Sequence, residues 1–232
     1  MRGMAQALRD NDQLITRQRL LEAAGEVFAE QGFRAATVRD ICHRAGANIA
    51  AIKYHFGDKE QLYSAAVRYA HDCSKRFAID EGLGDKPTAR QRLHGFVRAM
   101  LMGILEEGKP AWHGRLMARE MAEPTAVLSQ IAEEGVKPRL LALRGILAEV
   151  MGTNVSDAMV RRSARSIVGQ VLFYHFAKPM LERVFSDERF DATAVDALAE
   201  HITEFSLGGL KALKSRGMDE TPTLRKGKKV RS

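Results

Sequence analysis

Long apolar runs are missing from this sequence, and cysteine is scarce. A membrane-spanning helix needs about 20 mostly apolar residues in a row, and no segment here provides them. The two cysteines, Cys42 and Cys73, are too few for a disulfide framework and fit a reducing compartment. The polar segment from Met1 to Asp12 lacks the apolar centre of a secretion signal. The sequence therefore predicts a cytoplasmic protein that does not engage a membrane.

The motifs of common enzyme chemistries are also missing. The sequence has no His-Glu-x-x-His, no Gly-x-Ser-x-Gly and no Walker-type phosphate loop. The glycines at Gly82 and Gly84 lack both the further glycine and the preceding strand that dinucleotide binding requires. We therefore predict that the protein is not an enzyme and that it uses no catalytic residue, cofactor or metal ion.

What the sequence does contain is a helical pattern. Apolar residues make up 45% of the chain, enough for a folded core. They recur three and four residues apart almost throughout, and no sustained alternation indicates a strand. The predicted fold class is all-α.

Positive charge collects at the two ends of the chain. Residues 1–77 carry 12 Lys and Arg against nine Asp and Glu, whereas residues 78–210 carry 16 against 18. Residues 211–232 carry eight against two. A basic end suits a polyanion such as DNA, but charge of this size also serves solubility, and composition does not decide between the two.

Capping residues divide the first third of the sequence into four helices. Helix starts are predicted at Thr16, Thr37, Asn48 and Asp58, and the matching ends near Gly32, Gly46, Gly57 and Phe77. The two short middle helices are joined by a tight turn. That arrangement is the geometry of a helix-turn-helix, in which the second helix enters the major groove of DNA.

The outer face of the second short helix is small, polar or cationic. Small residues allow the backbone to approach the bases, and the longer polar side chains reach phosphates or base edges. The residues of this face are Asn48, Ala50, Ala51, Lys53, Tyr54 and His55. His55 could alternatively bind a metal ion, but the sequence has no Asp, Glu or Cys at ligand spacing from it, so DNA contact is favoured. For Cys42, packing inside a short helix is favoured over redox sensing.

The stretch TVRDICHRAGANIAAIKYHFGDKEQLY, preceded by LLEAAGEVFAEQGF, resembles the TetR family of DNA-binding regulators. The resemblance covers about the first quarter of the chain and implies two groups of DNA contacts. It places Thr37, Asn48, Tyr54, His55 and Lys59 at phosphates or at helix caps beside them, and Ala50, Ala51 and Lys53 towards the bases. The family often has Tyr at the position of Lys53, so this lysine either reads guanine or holds a phosphate.

The remainder of the chain predicts a larger helical domain. Helices are expected at about residues 88–107, 111–122, 125–151 with a break at Pro138, 156–185 and 191–213. The predicted domains are a flexible N-terminal arm (1–14), the DNA-binding helix-turn-helix (15–60), a helical regulatory, ligand-binding and dimerisation domain (61–213) and a disordered basic tail (214–232). The stretches RLMAREMAEPTAVLSQI and KPRLLALRGILAEVMG are similar to the CecR-type subgroup, which implies a homodimer and a small-molecule effector.

Methionine and aromatic residues in the middle helices predict an apolar effector cavity, because such side chains adapt to irregular space. The apolar candidates are Phe96, Met100, Trp112, Met117, Met121, Phe173 and Phe176, and the polar candidates are His113, Arg119 and Glu120. The alternatives are ordinary core packing for the apolar residues and a surface salt bridge for Arg119 and Glu120.

Extra apolar residues on the last two helices predict a dimer interface of four helices. They are Ile167, Val168, Val171, Leu172, Leu198, Ile202, Phe205 and Leu210. The predicted function is a repressor that binds palindromic double-stranded operator DNA as a homodimer and is released by a small molecule. The alternatives are a DNA-binding regulator without ligand control and an activator.

Overall fold

The computed structural model describes residues 2–73, 82–105, 110–152, 155–185, 187 and 190–216. Within these ranges all regular structure is helical, which confirms the all-α prediction. The helices are α1 (Arg2–Ala35), α2 (Val38–Ala45), α3 (Ile49–Phe56), α4 (Lys59–Cys73), α5 (Ala89–Leu105), α6 (Trp112–Ala122), α7 (Ala126–Ile131), α8 (Lys137–Met151), α9 (Asp157–Val184) and α10 (Ala192–Arg216). A π-helical turn, Ala132–Val136, joins α7 to α8.

The short helices α2 and α3 begin at the capping residues that the sequence predicts. The Thr37 hydroxyl accepts a hydrogen bond from the Asp40 amide at 3.1 Å, and the Asn48 side chain accepts one from the Ala51 amide at 3.0 Å. Between the helices, Gly46 adopts the left-handed conformation with φ 60°, which glycine accepts without steric cost. The predicted helix-turn-helix is therefore built by its own local sequence.

The start of α1 differs from the prediction. The helix begins at Arg2, so Thr16 lies inside it and does not cap it, and the segment predicted as a flexible arm, 2–14, is helical. Residues 2–15 contain no proline and are rich in good helix formers, and a threonine within such a run interrupts nothing. The helix is broken instead near its end, at Gly32, where φ is 79°.

The predicted break at Pro138 is found one turn earlier. The chain leaves α-helical geometry in the π-helical turn, and Pro138 lies in the first turn of α8. A proline is tolerated there because its missing amide hydrogen has no partner within the helix. The predicted end of the fourth helix near Phe77, the residues Glu106 and Glu107, and the tail from residue 217 onward lie outside the described residues.

The buried apolar residues form two clusters. The first, the head cluster, unites α1 to α4 with four residues from further along the chain, Trp112, Leu116, Val127 and Ile131. The second, the body cluster, unites α5 with α8, α9 and α10. The helices α6 and α7 therefore belong to the core of the N-terminal head, although they are distant from it in sequence. Within the described residues, no helix is both long and apolar enough to cross a membrane.

Candidate nucleic-acid interface

The helix α3 lies across α2 with one face buried and the other open to solvent. Ile41 of α2 and Ile52 and Phe56 of α3 are buried and fix the angle between the two helices. On the opposite side, Lys53 is exposed and Tyr54 is 69% exposed. The arrangement presents a helix of eight residues as a free ridge, and one helix is what a major groove of about 12 Å accepts.

A surface groove runs between this ridge and α1. It is lined by Asp12, Gln13, Thr16, Asn48, Ala50, Ala51, Tyr54 and His55. The Tyr54 hydroxyl lies 3.5 Å from the Gln13 side-chain oxygen, and the rings of Tyr54 and His55 meet edge to face. Five of the predicted DNA contacts are thus together. The contribution of α1 was missed because its first residues were predicted to be a flexible arm.

The two predicted DNA-contacting lysines have different environments. The side chain of Lys53 is exposed in the last turn of α3. Lys59, at the start of α4, is half-buried, and its Nζ donates to the Arg34 carbonyl at 3.4 Å and lies 4.8 Å above the Phe33 ring. Lys59 is therefore held against the end of α1, whereas Lys53 is free to reach a base or a phosphate.

Ile49 is a candidate contact that the sequence analysis missed. It stands at the start of α3 and is 57% exposed. Its helical spacing from Ile52 and Phe56 is typical of a core residue, so the sequence gives no sign that it faces outward. An exposed aliphatic side chain on this ridge is suited to contact with the methyl group of thymine.

Polar contacts from α1 keep the head rigid. The Arg19 guanidinium donates to the Ala45 carbonyl at 2.5 Å, which satisfies the end of α2. Arg44 forms ion pairs with Glu30 at 2.9 Å and Glu26 at 3.6 Å. The hydrogen bond from Arg44 lowers the pKa of Glu30, so this carboxylate stays ionised opposite α2 in neutral solution.

Cys42 lies within this head as a packing residue. It is 5% exposed, and its burial raises the pKa of the thiol. A raised pKa lowers the fraction of reactive thiolate, which favours the packing interpretation. Within the described parts of the chain, no group of three or more His, Cys, Asp or Glu side chains could hold a metal ion.

The structure does not bring the predicted effector residues to one place. Phe96 and Met100 lie in the body cluster, while Trp112 and Met117 lie in the head cluster. Met121 is 62% exposed. On α9, Phe173 is 51% and Phe176 59% exposed. Of the predicted effector residues named here, only Phe96 and Met100 pack inside the body cluster, where a cavity between the body helices would lie.

The polar candidates on α6 are engaged by the protein itself. Glu120 is fully buried and accepts hydrogen bonds from the Tyr63 hydroxyl and from Thr125. Arg119 donates to the Glu30 carbonyl at 3.3 Å. His113 is buried, and its ring meets that of Trp112 edge to face. The alternative of a surface salt bridge is therefore wrong for Glu120, which is buried, whereas the Arg119 contact is to a backbone carbonyl.

The predicted interface on α9 and α10 is mostly an internal surface. Ile167, Val171, Ile202 and Leu210 are buried in the body cluster, and Val168, Leu172 and Leu198 are partly buried; Phe205 alone among the eight is exposed, at 67%. The exposed apolar residues of α9 follow one helical stripe instead. They are Phe173, Phe176, Met180 and Val184.

Two protein-family profiles match the chain. Residues 20–66 match the profile of bacterial regulatory proteins of the TetR family, and residues 89–210 match the C-terminal domain of the transcriptional dual regulator CecR. The chain is also similar to CecR from Shigella flexneri over most of its length. The two are 25% identical over 199 residues, which covers 81% of this chain and 87% of CecR.

Solved structures share the fold. A transcriptional regulator of Pseudomonas aeruginosa PAO1 superposes with a TM-score of 0.64 at 18% identity, over 86% of this chain and 92% of that protein. The regulator FadR from Bacillus subtilis, in complex with stearoyl-CoA, superposes with a TM-score of 0.57 at 20% identity, over 83% of this chain and 98% of FadR. The segment that matches the TetR profile, 20–66, contains the exposed α3 ridge, and the segment that matches the CecR C-terminal domain, 89–210, contains the body helices.

Proposed function

Because this chain belongs to the TetR family of bacterial regulators and carries the CecR-type C-terminal domain, we propose that it is a repressor that binds a near-palindromic operator as a homodimer and is released by a small molecule. The family consists of DNA-binding transcriptional regulators and not of enzymes. The observation that carries the proposal is the free ridge of α3 beside the groove that Asn48, Tyr54 and His55 line. An operator lies in the bacterial cytoplasm, so this function implies a cytoplasmic location.

The proposed DNA contacts divide by what they reach. Ala50, Ala51 and Ile49 let the ridge sit close to base edges, and Lys53 reaches either a guanine or a phosphate. Phosphates on either side are held by the caps and by the longer polar side chains, which fix the register without reading sequence. These phosphate-side residues are Thr37, Asn48, Tyr54, His55 and Lys59.

The homodimer is proposed to form on the exposed stripe of α9. Phe173, Phe176, Met180 and Val184 recur at three or four residues, so they form one continuous apolar face. Phe205 of α10 adds a second exposed aromatic ring, at 67%. Continuous exposed apolar faces usually mark sites of protein–protein contact. The proposed partner for this face is the same face of a second copy. Two copies of α9 and α10 then form a four-helix interface.

For the effector we propose an acyl-CoA thioester or its acyl chain. The support is the complex of the structurally similar FadR with stearoyl-CoA, together with the apolar body cluster around Phe96 and Met100. The purified protein is titrated with stearoyl-CoA, with a short-chain acyl-CoA and with free coenzyme A, while its melting temperature and operator binding are followed. A thioester that raises the melting temperature and weakens operator binding supports an acyl-CoA effector. The absence of a response to all three compounds refutes it.

Selection of bound duplexes from a random pool tests the DNA-binding proposal. The expected product is a near-palindrome whose half-sites lie about one helical turn apart, since the two heads of a dimer meet the same face of DNA. Affinity should fall steeply with salt. Protein that shows no preference for any selected duplex over random DNA contradicts the proposal.

Substitutions on the ridge then separate base reading from phosphate binding. Lys53→Ala changes the selected sequence if Lys53 reads a base, and lowers affinity for all sequences equally if it binds a phosphate. Tyr54→Ala lowers affinity for all sequences. The control is Lys137→Ala, which removes an exposed lysine from α8 and should change neither property.

Repression is distinguished from activation by a reporter gene placed behind the selected operator. Repression predicts that expression rises when the regulator is deleted, and activation predicts that it falls. The similar protein CecR is named a dual regulator, so operators at two distances from the promoter are compared. A fall at both distances would overturn the repressor assignment.

A further inference from the structure

Ser163 of α9 is a buried serine whose hydroxyl lacks a partner. It is 6% exposed, and its side-chain oxygen forms no hydrogen bond with any part of the chain that the structure describes. Other hydroxyls of α9 and α10 bond to a carbonyl one turn earlier. Ser166 donates to Arg162 at 3.2 Å, and Thr203 donates to Ala199 at 2.7 Å. A buried hydroxyl that forgoes such a bond costs free energy, so its position calls for a reason.

The surroundings of Ser163 are apolar. Val160 and Ile167, about one turn to either side on the same face of α9, are buried in the body cluster. Helix α9 packs against α5 and α8, and α5 contributes Phe96 to the same cluster. The hydroxyl is therefore a hydrogen-bond donor within an apolar interior.

Two ion pairs indicate which part of α5 lies level with Ser163. Arg92, in the first turn of α5, and Asp157, the first residue of α9, each form an ion pair with the C-terminal half of α8. Both helices therefore start at the same end of the body. Phe96 is one turn beyond Arg92, and Ser163 is less than two turns beyond Asp157. At a rise of 1.5 Å per residue these distances are about 6 and 9 Å, so Ser163 lies near the level of Phe96.

Arg92 supplies a second buried donor at this end of the body. One terminal nitrogen of its guanidinium pairs with Glu149, whereas its Nε is buried and has no hydrogen-bond partner among the described residues. A hydroxyl and a guanidinium N–H can both donate to an oxygen atom. Two donors that lack an acceptor favour a ligand that carries an oxygen into the body over a pure hydrocarbon.

We propose that Ser163 binds the carbonyl oxygen of an acyl effector, with Arg92 as the neighbouring donor. The acyl chain extends from this carbonyl along α5 towards Met100 and Leu105, which belong to the apolar interior of the body. An acyl chain needs only burial, whereas its carbonyl must find a donor when it leaves water. The inference rests on the acyl-CoA effector proposed above, and it names the residue that distinguishes a thioester from a ligand without a carbonyl.

The test compares stearoyl-CoA with S-octadecyl-CoA, a thioether of the same chain length that lacks the carbonyl oxygen. Ser163→Ala removes the hydroxyl. Ser206→Ala is the matched control, because Ser206 of α10 is also buried, at 7% exposed, but already accepts a hydrogen bond from Gln170 at 3.3 Å. Titration calorimetry gives the dissociation constant of each compound for the wild type and both variants, and circular dichroism gives their melting temperatures without ligand.

Two results are expected from Ser163→Ala. The wild type should bind the thioester about fivefold to tenfold more tightly than the thioether, the size of one hydrogen bond, and the variant should bind the two compounds about equally. Without ligand, the variant should melt about 2–4 °C above the wild type, because it no longer buries a hydroxyl that lacks a partner. Ser206→Ala should keep the preference for the thioester and should gain no stability, since it breaks an existing bond.

Three outcomes count against the proposals, and they are distinguishable. A preference for the thioester that is as large in Ser163→Ala as in the wild type would overturn the inference. A melting temperature of ligand-free Ser163→Ala below that of the wild type would also overturn it, because the hydroxyl would then have a partner within the protein. Wild-type protein that binds neither compound would instead overturn the acyl-CoA effector on which the inference rests.

Discussion

Gly25→Ala should destabilise the protein even though alanine favours helices. The added Cβ would lie 2.2 to 2.4 Å from three ring carbons of Trp112, and the ring is 2% exposed and enclosed by other helices. Overpacking of this kind costs about 1–3 kcal/mol. The change from glycine to alanine inside a helix returns about 0.5–1 kcal/mol. The net effect is therefore a destabilisation, because the enclosed indole has no space into which it can move.

Gly145→Ala is the matched control for this substitution. Gly145 lies within α8, and a Cβ there would meet no atom within 4 Å, so only the gain in helix propensity remains. The two variants should differ in the free energy of unfolding by the overpacking cost of about 1–3 kcal/mol. For a chain of this size each kcal/mol shifts the melting temperature by about 2–4 °C. Gly25→Ala should therefore melt about 2–12 °C below Gly145→Ala.

Thermal denaturation followed by circular dichroism measures this difference, and Trp112 fluorescence reports the displacement of the ring. Adding Trp112→Phe to Gly25→Ala should recover part of the loss, because the smaller ring leaves room for the methyl group. A double-mutant cycle measures that coupling. Equal stabilisation by Gly25→Ala and Gly145→Ala would show that Trp112 does not occupy the space above Gly25, and the packing argument for α6 would fail.

Three further outcomes are expected. Phe176→Glu places a charge in the exposed stripe of α9 and should shift the mass seen by light scattering from twice 25.8 kDa to 25.8 kDa at micromolar concentration; an unshifted dimer would place the interface elsewhere. In a Cys73→Ser background, Cys42 should react with iodoacetamide more slowly than in urea and should need a higher pH, because burial raises its thiol pKa; equal rates would contradict its burial. Gly32→Ala should cost about 1–3 kcal/mol, because a φ of 79° with a ψ of 166° lies in a backbone region that is essentially restricted to glycine, and an unchanged melting temperature would argue against that conformation.

The helix-turn-helix could be predicted because its determinants are local. Thr37 and Asn48 cap helices through their own next turn, and Gly46 supplies a conformation that other residues avoid. The same local signal failed at Thr16. A threonine that is able to cap a helix says nothing about whether the preceding residues extend it, and here residues 2–15 do.

The roles of the α6 and α9 residues could not be predicted because their partners are distant in sequence. Glu120 and Tyr63 are separated by 57 positions, and no periodicity within α6 indicates that its carboxylate turns towards α4. Similarly, helical spacing shows that Phe176 and Val171 lie on apolar faces of α9. It does not show that Val171 faces the chain's own core while Phe176, 59% exposed, faces outward.

The shared core of the head and α6 determines how an effector could act. Trp112 and Leu116 belong to the same cluster as the head, so displacement of α6 must displace the head as well and does not depend on a free hinge. Tenfold weaker operator binding needs about 1.4 kcal/mol of coupling. Hydrogen bonds to charged groups contribute about 1.5–3 kcal/mol each, so a single such bond that differs between the ligand-free and the ligand-bound protein would supply this coupling. The apolar contacts of Leu116, which is fully buried, would keep α6 in the head during such a movement, so the proposed reorientation would not require the head to unfold.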